Sequence, residues 1–410
     1  MSIEGPLLAA VIARMPDPKF NLAAYGVAFS FALIIEAPII MIMSASTALV
    51  TDKISLRKLR NYTYILNTIL TFILLILLIP PIFYFIAQDL IGLPGEVAKL
   101  THIAAMILLP WPGAIGYRRF YQGILIRNHL TRRVAYGTIL RLLSMSTTAF
   151  ILFFFSKVDG VVVGASALSA GVLMEAIAGR IMAQPIVRKL QSDQNGGGNK
   201  EISYSYINKF YYPLALTPVI ALGVHPIVTF FMGQSRMALE SLAVFPVVNS
   251  LTFIFRSLGL SYQEVAISLI GDQQEGYKPL KRFAIFLGCA TVLILGLLAF
   301  TDLSHFWYHT VSGLSEELTR FSMPPTQVLV IMPGLTVLIS LQRAILVHFR
   351  KTIPITMATV IEFGGIVLLL LILINRFDMI GVMAAAIALV AGRAAANLYL
   401  IAPYRKVLNR

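Results

Sequence analysis

Apolar residues run along this chain in long blocks separated by short polar turns. Blocks of roughly 20 residues or more recur from end to end, and each can cross a bilayer core of about 30 Å. They predict membrane helices over 22–50, 62–87, 101–126, 134–156 and 160–187, then over 203–233, 238–270, 283–302, 324–348, 353–374 and 379–403. Between the two sets lies 191–201, with the run Asn195-Gly196-Gly197-Gly198-Asn199, which reads as a flexible linker. The expected organisation is therefore an N-terminal bundle over 1–190, a cytoplasmic linker over 191–201 and a C-terminal six-helix bundle over 202–410. A β-barrel is excluded, because its strands would alternate polar and apolar residues.

The two sets are copies. Residues 6–52 overlay 226–272 without a gap, matching Leu22-Ala23 with Leu242-Ala243, Val27 with Val247, Ser30 with Ser250 and Leu49 with Leu269. Further on, Pro112-Gly113 falls on Pro333-Gly334, Thr131 on Thr352, Thr138 on Thr359 and Pro185 on Pro403. Both halves begin and end on the same sides, so the repeats are parallel and related by an axis along the membrane normal. The first half holds five full helices and the fragment 5–15, which is too short to span. The expectation is a start codon upstream of Met1, with an incomplete relic helix as the alternative. A signal peptide is not expected, since no basic n-region or small-residue cleavage site is present. The fold class predicted is an all-α polytopic membrane protein of two parallel six-helix repeats with a truncated first helix.

Composition agrees: 58% of 410 residues are hydrophobic and 13% charged, with mean hydropathy +0.80, which excludes a soluble globular chain. The net charge of +14 resides mostly in alternate loops, at Lys53–Arg60, Arg127–Arg133, Arg188–Lys200, Lys278–Arg282, Arg350-Lys351 and Arg405–Arg410. That alternation places those loops and the C-terminus in the cytoplasm, in an inner (plasma) membrane. It leaves no reason to expect a nucleic-acid partner, while a patch for anionic lipid is a second reading of the same charge. The one cysteine, Cys289, excludes an internal disulfide. No metal-ligand cluster, Walker A sequence or nucleophile with a base is recognisable, so neither an enzyme nor a cofactor is expected. A monomer is expected.

A charge at bilayer depth costs several kcal/mol unless it is paired or faces water. Glu36 falls on Arg256, Arg141 on Glu362 and Glu175 on Arg393, three reversals of sign between the copies. These six are candidates to line a central cavity. They could attract across the two-fold axis, or pair within a half as Glu36 with Arg141 and Arg256 with Glu362. They could also serve only to hold helices in register. Glu264, whose repeat partner is Ser44, has no evident basic mate and is the candidate ion-coupling site together with Glu36, unless it snorkels to the interface. Arg118, Arg119 and Arg343 suit an anionic group or an interfacial anchor. Pro38, Pro110, Pro112, Pro213, Pro218, Pro226, Pro246 and Pro333 are expected to break helices where a neighbour re-satisfies the backbone.

The six-plus-six parallel repeats, the mid-chain linker and the turn Asn21-Leu22-Ala23-Ala24-Tyr25-Gly26 resemble the MATE-like multidrug/oligosaccharidyl-lipid/polysaccharide (MOP) exporter superfamily. Within it, Ala24-Tyr25-Gly26-Val27-Ala28-Phe29-Ser30, Arg350-Lys351-Thr352 and Gly381-Val382 are similar to the progressive-ankylosis (ANK) branch. The resemblance implies a V-shaped twelve-helix exporter that rocks its two halves on a proton or sodium gradient. The first helix of some MATE exporters carries the coupling aspartate, and 5–15 offers none. The expected function is a secondary active exporter of a small organic or drug-like ion. A lipid-linked sugar flippase, an ANK-like organic anion or pyrophosphate exporter, and an inactive membrane scaffold are the alternatives.

Overall fold

In hydrocarbon every backbone N–H and C=O must bond within its own segment, and an apolar run does this as a helix. The computed structural model describes residues 3–192, 202–270, 275–349 and 351–408; most of the expected linker, 193–201, lies outside them, as does Arg350. The elements are α1 (Glu4–Ala13), α2 (Pro18–Glu36), α3 (Ile42–Leu49), α4 (Lys53–Leu77), α5 (Pro80–Tyr84), α6 (Gly95–Ile107), α7 (Trp111–Arg127), α8 (Thr131–Phe155) and α9 (Gly160–Ser192). They continue as α10 (Tyr204–Gly233), α11 (Ala238–Leu269), α12 (Tyr277–Phe300), α13 (Leu303–His305), α14 (Glu316–Leu329), α15 (Met332–His348), α16 (Ile353–Asn375) and α17 (Gly381–Leu408). Among the described residues there is no β-sheet, and 11 helical spans are long and apolar enough to cross a membrane. This is a multi-pass all-α architecture.

The duplication is visible in backbone detail. A π-turn at Phe85–Leu90 follows α5, and another at Phe306–Val311 follows α13. Each is followed by a glycine in the left-handed region, Gly92 (φ 81°) and Gly313 (φ 76°), a conformation that side chains with a Cβ adopt at a cost.

The prolines divide into two groups. The helix breaks at the 3₁₀ turn Ala37–Ile39 around Pro38, before α7 at Pro110, and before α15 one residue ahead of Met332-Pro333. The Pro38 carbonyl freed by the first break accepts the Tyr211 hydroxyl. Pro246, Pro218 and Pro226 instead sit inside the unbroken helices α11 and α10, contrary to expectation. At Pro246 the ring packs where a Cβ on Gly26 would stand, 2.5 Å from its Cγ.

By contact the chain forms two compact units, Val27–Pro226 and Ser2–Gly26 with Ile227–Arg410. The division passes through α2 and α10 and is offset from the sequence repeats. In the first unit α3 lies tightly on α7: a Cβ on Gly123 would stand 2.4 Å from the Met43 carbonyl oxygen. The Ser46 hydroxyl donates to the Phe120 carbonyl at 2.8 Å. In the second unit α1 packs on α11, with Gly5 against Ser250. Arg14 ties α1 to the π-turn, donating to the Thr310 and Val311 carbonyls at 2.6 and 2.9 Å. Lys19 on α2 pairs with Glu240 on α11 at 2.6 Å.

Candidate functional site

Each unit holds a buried charge cluster at the crossings of its broken and long helices. In the first unit α9 passes close to α7 and α8 and presents Glu175, which is 2% exposed. Its carboxylate accepts from the Arg118 guanidinium and from Gln122 Nε2 at 3.0 Å, both on α7. Arg141 on α8 approaches the same carboxylate at 3.6 Å and lies 5.9 Å from the centre of the Trp111 ring. Trp111 Nε1 in turn donates to Glu36 Oε2 at 2.5 Å. Glu36 ends α2 where Pro38 breaks it, and Arg118, Arg119 and Arg141 lie within reach of its charge. Arg119 donates weakly to Met43 Sδ at 3.6 Å, and its buried Nε meets no acceptor among the described residues.

In the second unit Arg393 Nε on α17 donates to Glu362 Oε1 on α16 at 2.7 Å, and its NH1 to the Thr336 hydroxyl at 3.4 Å. The approach depends on Gly392, where a Cβ would stand 2.9 Å from the Glu362 carbonyl oxygen. Arg343 on α15 donates to the Thr359 hydroxyl at 3.3 Å. Arg256 on α11 completes the group, and the charges within reach of Arg256 and of Arg343 are those of Arg393 and Glu362. The Nε of Arg256 and of Arg343 is buried with no acceptor among the described residues. Among the described residues one carboxylate, Glu362, belongs to this cluster, and of the three guanidiniums Arg393 is the one that pairs with it.

The six sign-reversed residues fall three to each cluster. Two equivalent positions form ion pairs, Arg141–Glu175 and Glu362–Arg393, with charges exchanged. Within each half Arg141 pairs with Glu175 and Glu362 with Arg393; one of the arrangements left open by sequence set Glu36 against Arg141 and Arg256 against Glu362. Arg118, which with Arg119 and Arg343 suits an anionic group or an interfacial anchor by sequence, is paired with Glu175. Glu264 lies on α11, but its side chain is outside the described ones. Sequence reading missed Trp111, although it adjoins the Pro112-Gly113 anchor. It missed Gln122, although that residue shares its repeat position with Arg343. It also missed Glu4 on α1, a buried carboxylate one residue before the fragment considered. Among the described residues no group of three or more His, Cys, Asp or Glu could hold a metal ion.

No protein-family model matches the sequence, and no curated protein does. Solved structures do match over the whole chain. An inward-facing multidrug resistance MATE family transporter of the MOP superfamily superposes with TM-score 0.79 at 16% identity, covering 99% of this chain and 94% of that one. The lipid II flippase MurJ, in an inward closed conformation, gives 0.74 at 14% identity, covering 98% and 85%. A MOP superfamily transporter from Pyrococcus furiosus, described by a binding pocket of reversed polarity, gives 0.61 at 14% identity, covering 98% and 85%. The chain has the fold of MATE-type transporters and of this flippase.

Proposed function

We propose that the chain is a secondary active exporter of a small organic anion, working by alternating access on a proton or sodium gradient. The observation that carries this reading is the second unit's cluster, in which Arg256 and Arg343 have buried Nε groups without acceptors beside a carboxylate already taken by Arg393. Uncompensated guanidiniums at bilayer depth are costly and mark an anion's binding position. Glu36, held by Trp111 and set among arginines, is the carboxylate for coupling. The basic loops and C-terminus lie in the cytoplasm of an inner (plasma) membrane, following the charge alternation. The cationic cluster together with the likeness to a lipid II flippase favours a second reading, in which the anion is the diphosphate of a lipid-linked sugar.

Reconstitution in proteoliposomes under an imposed gradient tests the proposal with citrate, pyrophosphate, cationic drugs and a lipid-linked diphosphate sugar. Gradient-dependent movement of a small anion, lost in Arg256→Gln, supports the first reading. Movement of the lipid-linked sugar alone selects the second. Transport of the cationic drugs alone overturns both.

A further inference from the structure

On the second unit α12 and α17 each pack along α15, and the Tyr277 and Tyr404 hydroxyls join their ends at 2.7 Å. Beyond that link the two helices leave a groove of about 940 Å³ with α15 as its floor. Lys281 and Arg405, both exposed, stand at the end closed by the two tyrosines. Farther in the lining is apolar, with Ile285 and Val292 on α12 and Ile331 and Leu338 at the floor, and Gly288 on α12 faces Gly334 on α15.

From Lys281 to Val292 the groove runs roughly 16 Å at the rise of an α-helix, about half of a bilayer core of roughly 30 Å. It therefore extends over the depth of one leaflet, with cations and phenols at headgroup level and hydrocarbon surface at acyl level. A sugar or peptide would leave the apolar inner part unmatched, and a zwitterionic lipid would leave the two cations uncompensated. Basic pockets between membrane helices select anionic headgroups in this way. We infer that this groove is a binding site for one anionic phospholipid, its phosphate held by Lys281 and Arg405 and one acyl chain lying along α12. The site is distinct from the charge clusters and independent of the substrate proposed above.

Cys289, the only cysteine of the chain, is exposed in the groove wall and gives a reporter in the full-length protein. A bimane attached to it is read in nanodiscs over a matched series of mole fractions of phosphatidylglycerol or phosphatidylcholine brominated on the acyl chain. The brominated phosphatidylglycerol should quench with a half-saturating mole fraction roughly 30-fold lower, from two basic contacts. Lys281→Ala with Arg405→Ala should abolish the preference, and the charge-retaining Lys281→Arg with Arg405→Lys should keep it. Equal quenching by the two lipids overturns the inference. So does a preference that survives the double alanine variant.

Discussion

Arg141 and Glu175 meet at 3.6 Å between α8 and α9, and Glu362 and Arg393, their counterparts in the second repeat, meet at 2.7 Å between α16 and α17. The same helix crossing is thus closed by a pair whose signs are exchanged. An ion pair can be inverted as a unit without leaving an uncompensated charge in low dielectric, whereas either half-step would leave one. Pairing within each repeat is therefore the constraint that the two copies share.

Inversion should be reproducible. Glu362→Gln alone leaves the half-buried Arg393 unpaired beside two further guanidiniums, a loss of about 3 kcal/mol. Arg393→Glu alone sets two carboxylates together and should cost at least as much. The combined Glu362→Arg and Arg393→Glu should recover most of the stability, as thermal unfolding monitored by size-exclusion chromatography will show. A double variant no more stable than either single one would refute pairwise compensation.

Arg256 and Arg343 are expected to behave differently. Among the described residues neither pairs with a carboxylate, so removing either charge relieves desolvation instead of orphaning a partner. Arg256→Gln and Arg343→Gln should leave the unfolding temperature unchanged or raised while lowering anion transport at least ~10-fold, about 1.4 kcal/mol. A fall in unfolding temperature together with transport would assign them to the scaffold. A rise in KM at constant maximal rate would place their role in binding the anion.

The sequence carried the spans and the repeat clearly, because both depend on linear properties. Hydropathy sets segment length, and prolines and glycines mark equivalent turns. The reversals at Glu36/Arg256, Arg141/Glu362 and Glu175/Arg393 were legible for the same reason. Which residue each charge meets was not, since partner choice depends on helix rotation and crossing. Glu175 accepts from α7 and forms an ion pair with Arg141 on α8 because α9 passes close to both, and no spacing reports that. The π-turns after α5 and α13 were also hidden, because a single widened turn leaves no compositional mark. Pro246 was misleading because Gly26 on a sequence-distant helix makes room for its ring.

Two glycines should respond to alanine with opposite signs. At Gly123 an added Cβ meets the Met43 carbonyl oxygen at 2.4 Å and Ser46 Cβ at 2.6 Å. The α3–α7 contact would have to open, at about 1–3 kcal/mol. At Gly179 within α9 nothing lies within 4 Å of an added Cβ, so Gly179→Ala should stabilise by about 0.5–1 kcal/mol through reduced chain entropy. Paired melting curves decide. A stabilised Gly123→Ala would mean that α3 is free to move off α7.

The start of α4 should report on pH. Asp52 accepts from the backbone N–H groups of Ile54 and Ser55 at 2.8 and 2.9 Å, and Ser55 Oγ accepts from the Asp52 N–H at 3.0 Å, a reciprocal cap. Partial burial pushes the Asp52 carboxyl up, but the Ser55 N–H, the Thr51 hydroxyl and the Ile54 N–H outweigh it and hold the group below the usual carboxylate range. A carboxyl lowered in the folded state adds stability above its unfolded pKa of about 3.9 and loses it as pH falls through the folded value. Asp52→Ala should therefore cost about 1 kcal/mol at neutral pH and progressively less below about pH 4. Asp52→Asn keeps an acceptor for the two N–H groups, so it should retain most of the cap while removing its contribution to the acid limb. Melting temperatures of the three proteins between neutral and acid pH give the comparison. An Asp52→Asn variant with an unchanged acid limb would show that Asp52 contributes no measurable share of the acid dependence.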